Sequence, residues 1–443
     1  MTMTKFSLTA FMTQKIILSI VIFLFAGIAL YSFRTTLSRI THDTPDAVYA
    51  IDFIAYYTAA QLIQSGHSSE IYAAITDDFS VVDTGMFYET ARKAGFHLTP
   101  TRYVYLPVFL LPFTWFTQFD FATASYLWLL VNIAALFTIV FLQWHITRVL
   151  SHPFLRLMVI IALNFFSFPL LYALKLGQTS LLVYLAICLI YYFTASDRDT
   201  LAGIVLGFIT ALKFSPLLFV VYFLYRKKYR LVLSAATTVL ALLALSVALY
   251  GLAIHKLYWS YLGTISGMGI TAWSNQSLDA LLLRVMHPTG IFNFTPVKTT
   301  AFSIALRIAI TLSVIGTVHL FFKRIPGKRH VTAHPLEFSA LVLCLLIIPP
   351  VSWLHYFTLA NLPVMLIIVS CIQVSHPRFA FMAALTITGY LMIAFHPDYS
   401  YLITLLGQGY AAQLLVSLPL IGTCLLLYIN LALTKKLHLH QQE

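Results

Sequence analysis

Residues 201–230 read LAGIVLGFITALKFSPLLFVVYFLYRKKYR. The apolar run 201–225 is long enough to cross the hydrocarbon layer of a bilayer, which takes about 20 helical residues at 1.5 Å each. It closes on Arg226, Lys227, Lys228 and Arg230, a basic cluster of the kind that marks a cytoplasmic loop. Lys213 and Pro216 break the run in its middle. Broken apolar segments with a charge at the break often line a site in membrane proteins.

The same pattern recurs on both sides of this stretch. Apolar runs fall at 16–33, 103–116, 121–144, 154–174, 179–193, 231–250, 299–322, 336–351, 357–374, 379–394 and 401–433, so the sequence predicts about twelve transmembrane helices. The chain of 443 residues is 60% hydrophobic and 9% charged, whereas a soluble domain carries about 25% charged residues. Too little polar surface exists to cover a globular core, and lipid offers no partner for open backbone, so the spans must be helices. We therefore expect an all-α, polytopic helical bundle forming one membrane domain over 1–443, without a soluble domain or a tandem repeat. The run 16–33 follows Lys5 and Lys15 and is longer than a signal-peptide core, which makes it a retained first span.

The net charge of +12 does not point to nucleic acid, because the positive residues sit in short clusters between apolar runs. Besides 226–230 these are Lys323, Arg324, Lys328 and Arg329, then Lys435 and Lys436. The four cysteines, Cys188, Cys344, Cys371 and Cys424, all lie in apolar segments without metal-binding spacing and read as small core residues.

Two polar stretches stand out. Residues 34–102 hold Asp43, Asp46, Asp52, Glu70, Asp77, Asp78, Asp83 and Glu89, most of the acids of the chain. Within them 53–64 and 82–94 read as amphipathic helices ended by Gly66 and Gly95, lying on the membrane surface. The second stretch, 252–298, contains Trp259, Trp273, Asn275, Gln276, Asp279 and Arg284. Alternation of the basic clusters puts both stretches, and the turn Trp353-Leu354-His355-Tyr356, on the extracytoplasmic face of an inner (plasma) membrane. Arg148 and Arg156 conflict with this count, which implies a miscounted or re-entrant segment between 103 and 225.

Several residues can carry chemistry. Asp52 opens an aromatic helix in the first loop, where apolar rings would raise its basicity and suit it to take a proton from a sugar hydroxyl; it can equally be a helix N-cap. His355 is either a site residue in an apolar setting or one more member of an interfacial aromatic belt with Trp353 and Tyr356. Lys213 needs an anionic partner, for which phosphate is natural, unless it snorkels to an interface. Lys175, beside Gly177-Gln178, is a similar case, and Asn275, Gln276 and Arg284 can bind sugar hydroxyls or phosphate or be plain loop residues. The chain has no phosphate-cradling glycine loop, no metal-binding His/Glu pair at helical spacing and no nucleophile elbow. That argues against nucleotide-driven pumping.

Taken in order, a set of short motifs resembles glycosyltransferase family 87. They are Asp52-Phe53 with Tyr56-Tyr57-Thr58-Ala59-Ala60, then Gly66 and Ile71-Tyr72; Tyr103-Val104-Tyr105-Leu106-Pro107 with Pro112; and Gly177-Gln178. Ala202-Gly203 through Gly207 to Lys213 and Pro216, Asn275-Gln276-Ser277-Leu278 with Arg284, and Trp353 with His355-Tyr356 complete the series. The resemblance implies the GT-C architecture, a bundle of spanning helices with an outward-facing active site. It implies transfer of a hexose such as mannose from a polyprenyl-phosphate sugar to a lipid or glycan acceptor, with no cofactor and no metal. The family's first-loop catalytic aspartate falls on Asp52, and Phe53 follows it where some GT-C relatives carry a second acid. The resemblance puts His355 beside it in the catalytic site. Substrate contacts would fall on Tyr56, Tyr57, Lys175, Gln178, Lys213, Asn275, Gln276, Arg284, Trp353 and Tyr356. The rival reading is a transporter or flippase of a lipid-linked sugar. A proton- or ion-coupled carrier should hide acids in the middle of its helices, yet here the spans hold almost none, with Glu337 only at a helix start.

Overall fold

The fold is that of a computed structural model of the chain, which describes residues 50–72, 80–150, 152–286, 291–292, 294–323, 335–374, 377–395, 405–407 and 409–440. The expected first span 16–33 lies outside the described residues, as do Asp43, Asp46, Asp77, Asp78, Arg324, Lys328 and Arg329. What is described is helical apart from one two-stranded ladder, Met268–Gly269 against Val297–Lys298. Five helices are long and apolar enough to cross a membrane, or six if a bent pair is counted as one span, and the protein is a membrane protein.

In chain order the main helices are α1 (Phe53–Gln64), α2 (Gly85–Lys93), α3 (Phe121–Ile146), α4 (Pro153–Phe165), α5 (Phe168–Leu176), α6 (Ser180–Ala195), α7 (Asp199–Leu212) and α8 (Leu217–Tyr225). They continue with α9 (Tyr229–Ser266), α10 (Leu278–Met286), α11 (Ala301–Lys323), α12 (Pro335–Ile347), α13 (Asn361–Val374), α14 (Pro377–Ala394) and α15 (Leu418–His440).

Three expectations from the sequence change. Residues 103–116 are no span: an extended stretch leads into a 3-10 turn at Pro107–Leu110 and a single helical turn at Phe113–Phe116. Tyr103, Tyr105, Phe113 and Phe116 are buried in the core built around α1, while Trp115 stays half-exposed. Helix α1 is not an amphipathic helix with one open face either, since Phe53, Ile54, Ala55, Tyr56, Tyr57, Ala59, Ala60 and Leu62 are all buried. Apolar residues on every side make it the centre of a second core, closed by the start of α3 and by Ile254, Tyr258 and Tyr261 of α9. Of the cysteines, Cys424 is exposed and the other three are buried.

Removing 103–116 from the count, together with the division of the expected span 201–225 into two helices that turn back at Lys213, resolves the misplaced arginines. Helix α3 starts beside the first loop, with Phe121 stacked on Phe53 at 6.1 Å. Its 26 residues carry the chain roughly 39 Å away at 1.5 Å per residue, to Arg148 at the far end. Helices α4 and α5, bent by 52° at 166–167, bring it back. Helices α6, α7 and α8 then alternate, so that Lys213 returns to the first loop while Arg226 lies far from it. Contacts at the far end agree: Lys228 pairs with Asp199 at 3.1 Å and Arg226 with Glu337 at 3.1 Å. Arg148 and Arg156 thus share the end of Arg226–Arg230.

Helix α7 is short, roughly 20 Å at 1.5 Å per residue, because Lys213 adopts an extended conformation and ends it. Close packing on α9 holds it in place. A Cβ on Gly203 would stand 2.3 Å from the Leu231 carbonyl oxygen, and one on Gly207 2.5 Å from that of Ala235. Small residues four apart let backbones approach this closely in membranes. Helices α3, α4 and α6 are joined by a buried polar set: Gln143 Nε2 donates to Tyr184 Oη at 2.5 Å and Asn164 Nδ2 to Gln143 Oε1 at 2.6 Å.

Gly207→Ala is expected to lower the thermal unfolding midpoint of the detergent-solubilised protein, since overpacking typically costs about 1–3 kcal/mol. Gly263→Ala, where a Cβ meets open space, is the control and should leave the midpoint nearly unchanged. Equal midpoints for the two variants would show that the α7–α9 contact is loose.

Candidate active site

The site is built where the first loop meets the end of α5. A helix leaves its last carbonyls without partners. Here the Ala50 N–H donates to the Lys175 carbonyl and the Asp52 N–H to the Leu176 carbonyl, both at 2.9 Å. Gly177 ends α5 at φ 68°, a left-handed conformation suited to glycine, and a Cβ there would stand 2.9 Å from Phe53 Cβ. Its carbonyl accepts from Trp128 Nε1 at 2.7 Å. The chain then turns so that Gln178 faces Asp52.

Asp52 sits at the N-cap position of α1 but makes no capping bond with its side chain. Its Oδ2 accepts from Gln178 Nε2 at 2.6 Å. Gln178 Oε1 accepts in turn from Tyr56 Oη at 3.3 Å, and Tyr56 and Tyr105 join their hydroxyls at 3.2 Å. Burial pushes the Asp52 carboxyl up to about 6; Gln178, Thr101 and the Lys213 ammonium, which favour its charged form, hold it from rising further. Its ordinary value is 3.8, so this carboxyl favours the fold when protonated. That contribution is complete below about pH 4 and is lost as pH rises through 6.

Lys213, at the break between α7 and α8, places its ammonium 3.6 Å from the centre of the Tyr356 ring and 6.0 Å from that of Tyr105. Aromatic faces attract a cation without neutralising it. The ammonium interacts electrostatically with both Asp52 and His355. His355 Nδ1 is hydrogen-bonded to Ser180 Oγ at 2.7 Å. Lys213, Ser180, Ser215 and Tyr356 form the polar wall of a cleft with about 380 Å³ of empty space, and Val183, Leu345, Leu346, Val351 and Leu359 line it with apolar surface. Asp52, Tyr56, Gln178, Lys213, His355 and Tyr356 therefore come together. Among the described residues no three His, Cys, Asp or Glu side chains converge as a metal site.

The other residues singled out in the sequence stand elsewhere. Tyr57 donates to the Phe119 carbonyl at 2.7 Å, and Lys175 is exposed, lending its carbonyl to Ala50. Asn275, Gln276 and Arg284 are buried and bond to backbone. Asn275 Oδ1 accepts from the Ser352 N–H at 2.9 Å, and Gln276 Nε2 donates to the Val416 carbonyl at 2.6 Å. Arg284 donates to the Asn275 carbonyl at 2.7 Å and to Ser417 Oγ at 2.9 Å. Trp353 pairs with Asn275 and stacks on Phe294 at 6.1 Å. This second-loop framework clamps 352–354 and so locates His355 and Tyr356; the Leu354 N–H donates to the Ser274 carbonyl at 2.8 Å. Sequence reasoning missed Ser180 and the role of Tyr105. Ser180 lies two residues after Gln178, and that proximity was the only signal for it.

The buried Asp52 carboxyl and the Lys213 ammonium thus influence one another electrostatically, and Lys213 lines the cleft, in a helical membrane protein. The sequence profile of glycosyltransferase family 87 matches residues 103–349, more than half the chain. The chain belongs to that family and is a glycosyltransferase. Gln178 and Lys213 fall inside the matched segment, whereas Asp52 and His355 fall outside it. No curated protein and no solved structure matches the chain.

The Asp52 carboxyl is expected to titrate near pH 6, read as the carboxyl band lost from the infrared spectrum of Asp52→Asn. Lys213→Met removes a positive neighbour and should move the midpoint upward. A midpoint that stays in place would mean that the two groups do not interact.

Proposed function

We propose that the protein transfers a hexose, mannose by the family resemblance, from a polyprenyl-phosphate sugar to a lipid or glycan acceptor on the extracytoplasmic face of the inner (plasma) membrane. The bundle in this reading is of the GT-C type, with about twelve spans once the residues outside the description are included. One observation carries it: the Lys213 ammonium interacts with the Asp52 carboxylate and lines a cleft with a polar wall of Ser180, Ser215 and Tyr356 and an apolar wall of Val183, Leu345, Leu346, Val351 and Leu359. A phosphate on an isoprenoid tail matches that combination, with the anion on Lys213 and the tail along Val183, Leu345 and Leu346. The basic clusters and the two arginines now at the same end support the outward orientation of Asp52.

The reaction follows from a lone carboxylate. Asp52 takes the proton of the acceptor hydroxyl as its oxygen forms a bond to the anomeric carbon. The bond from that carbon to the phosphate oxygen breaks, its electrons go to phosphate, and Lys213 stabilises the charge that develops there. A single in-line displacement inverts the anomeric centre, whereas retention through a covalent intermediate uses two carboxylates in hydrolases. His355, fixed by Ser180, orients donor or acceptor. A proton- or ion-coupled carrier of the same lipid-linked sugar would use a free acid within its helices, but Glu337 is already paired with Arg226 and accepts from Tyr222 Oη at 2.5 Å.

With a radiolabelled polyprenyl-phosphate sugar, Asp52→Asn should lose about 10²–10⁴-fold in rate while remaining folded in detergent. Lys213→Ala should raise the donor KM and lower kcat, and a metal chelator should leave the rate unchanged. Near wild-type turnover in Asp52→Asn, or a product retaining the donor's configuration, would sink this mechanism. For orientation, an impermeant thiol reagent applied to intact cells should label cysteines placed at Met86 and Lys256 and spare one at Lys227, in a Cys424→Ser background.

A further inference from the structure

Sequence reasoning put Gln178 among the substrate contacts, and its geometry says otherwise. Both functional atoms of its amide are engaged within the protein: Nε2 with Asp52 Oδ2 at 2.6 Å, Oε1 with Tyr56 Oη at 3.3 Å. The amide cannot be turned around, because Oε1 would then face the carboxylate oxygen. A hydroxyl holds one proton, so Tyr56 Oη donates either to Gln178 Oε1 at 3.3 Å or to Tyr105 Oη at 3.2 Å, and only the first continues the line of donors through Gln178 to Asp52. The backbone fixes the partners' register: the Asp52 N–H reaches the Leu176 carbonyl at 2.9 Å, and the Gln178 N–H returns to the Ala173 carbonyl at 3.0 Å.

From this arrangement we infer that Gln178 is a positioning residue that holds Asp52 through Oδ2 and so aims the carboxylate that takes the acceptor's proton. The inference rests on Asp52 being the general base. It also assigns Gln178 a share in setting the pH at which that base works, because its N–H favours the charged carboxylate. The other groups facing Asp52 are Lys213 from the α7–α8 break, Tyr172 from α5, Tyr56 from α1, Tyr105 from the first loop and Tyr356 from the turn after Trp353. Lys213 is the one cation in this set, and His355 stands beside it. Thr101 is a second neutral side chain hydrogen-bonded to the carboxylate, and Gln178 is the one whose amide is itself held, by Tyr56.

The test uses the full chain in detergent and two readouts. In the infrared titration of the Asp52 carboxyl, Gln178→Leu should move the midpoint up by about one to two units, the worth of a hydrogen bond to a charged group. Tyr56→Phe should move it less, in the same direction, and Tyr56→Phe/Gln178→Leu should move it no further than Gln178→Leu alone, since Tyr56 acts through the amide. The near-isosteric Gln178→Glu guards against a packing defect: it keeps the shape, replaces the donor by an acid and should raise the upper midpoint further. In the transfer assay the acid limb of the kcat profile should move with the titration while the donor KM holds. An unmoved midpoint with a raised donor KM would overturn the inference and return Gln178 to the substrate contacts. Shifted midpoints together with a wild-type protein inert towards polyprenyl-phosphate sugars would leave the Gln178–Asp52 pairing standing and remove the proposed donor.

Discussion

Two backbone hydrogen bonds, from Ala50 and Asp52 to the carbonyls that end α5, are the constraint on which the rest of the site depends. They satisfy a helix terminus that lipid could not satisfy, and in doing so join the first loop to the bundle. Gly177 makes the junction possible, because the left-handed turn and the nearness of Phe53 leave no room for a side chain. Once that junction forms, Asp52 and Gln178 meet across 126 positions of sequence, α1 sinks among Phe113, Phe116, Phe121 and Trp128, and Tyr56 is brought against the amide. A second clamp works from the other side, where Asn275 and Ser274 hold the 352–354 backbone and so present His355 and Tyr356 to Lys213.

Much of the fold was legible because apolar length is a strong signal in lipid. Where it failed, the reason was physical. Residues 103–116 and 53–64 are as apolar as a span or an interfacial helix, but hydropathy does not distinguish burial against lipid from burial against protein. The misplaced Arg148 and Arg156 already marked an error, and it lay both in 103–116 and in 201–225, which turns back at Lys213. The break at Lys213 was legible from the charge and Pro216. The 52° bend between α4 and α5 was not, since Ser167-Phe168-Pro169 falls within an otherwise apolar run and a proline near a helix start is also compatible with a continuous helix path.

The candidate site was legible unevenly. Asp52, Gln178, Lys213 and His355 were found through the order of short motifs, and they do lie together. Asn275, Gln276 and Arg284 looked the same in sequence as ligand-binding residues would, because a polar side chain in a loop carries no sign of whether it meets a substrate or a carbonyl. All three turn out to be engaged with backbone, the usual fate of buried polar groups. Ser180 was passed over for the opposite reason: a serine opening an apolar helix is common, and only its 2.7 Å approach to His355 distinguishes it.

The amide of Gln178 has one more consequence. Hydroxyls and imidazoles can relay protons by taking one and releasing another, but a primary amide donates from nitrogen and accepts at oxygen without exchanging the two roles. It is therefore an electrical contact and a protonic insulator. A proton arriving on Asp52 cannot drain through the amide to Tyr56 and Tyr105 and on into the first loop. In the proposed reaction the base is therefore reset from the other side of the carboxyl, where Thr101 and Lys213 stand, and readiness for the next cycle depends on that side.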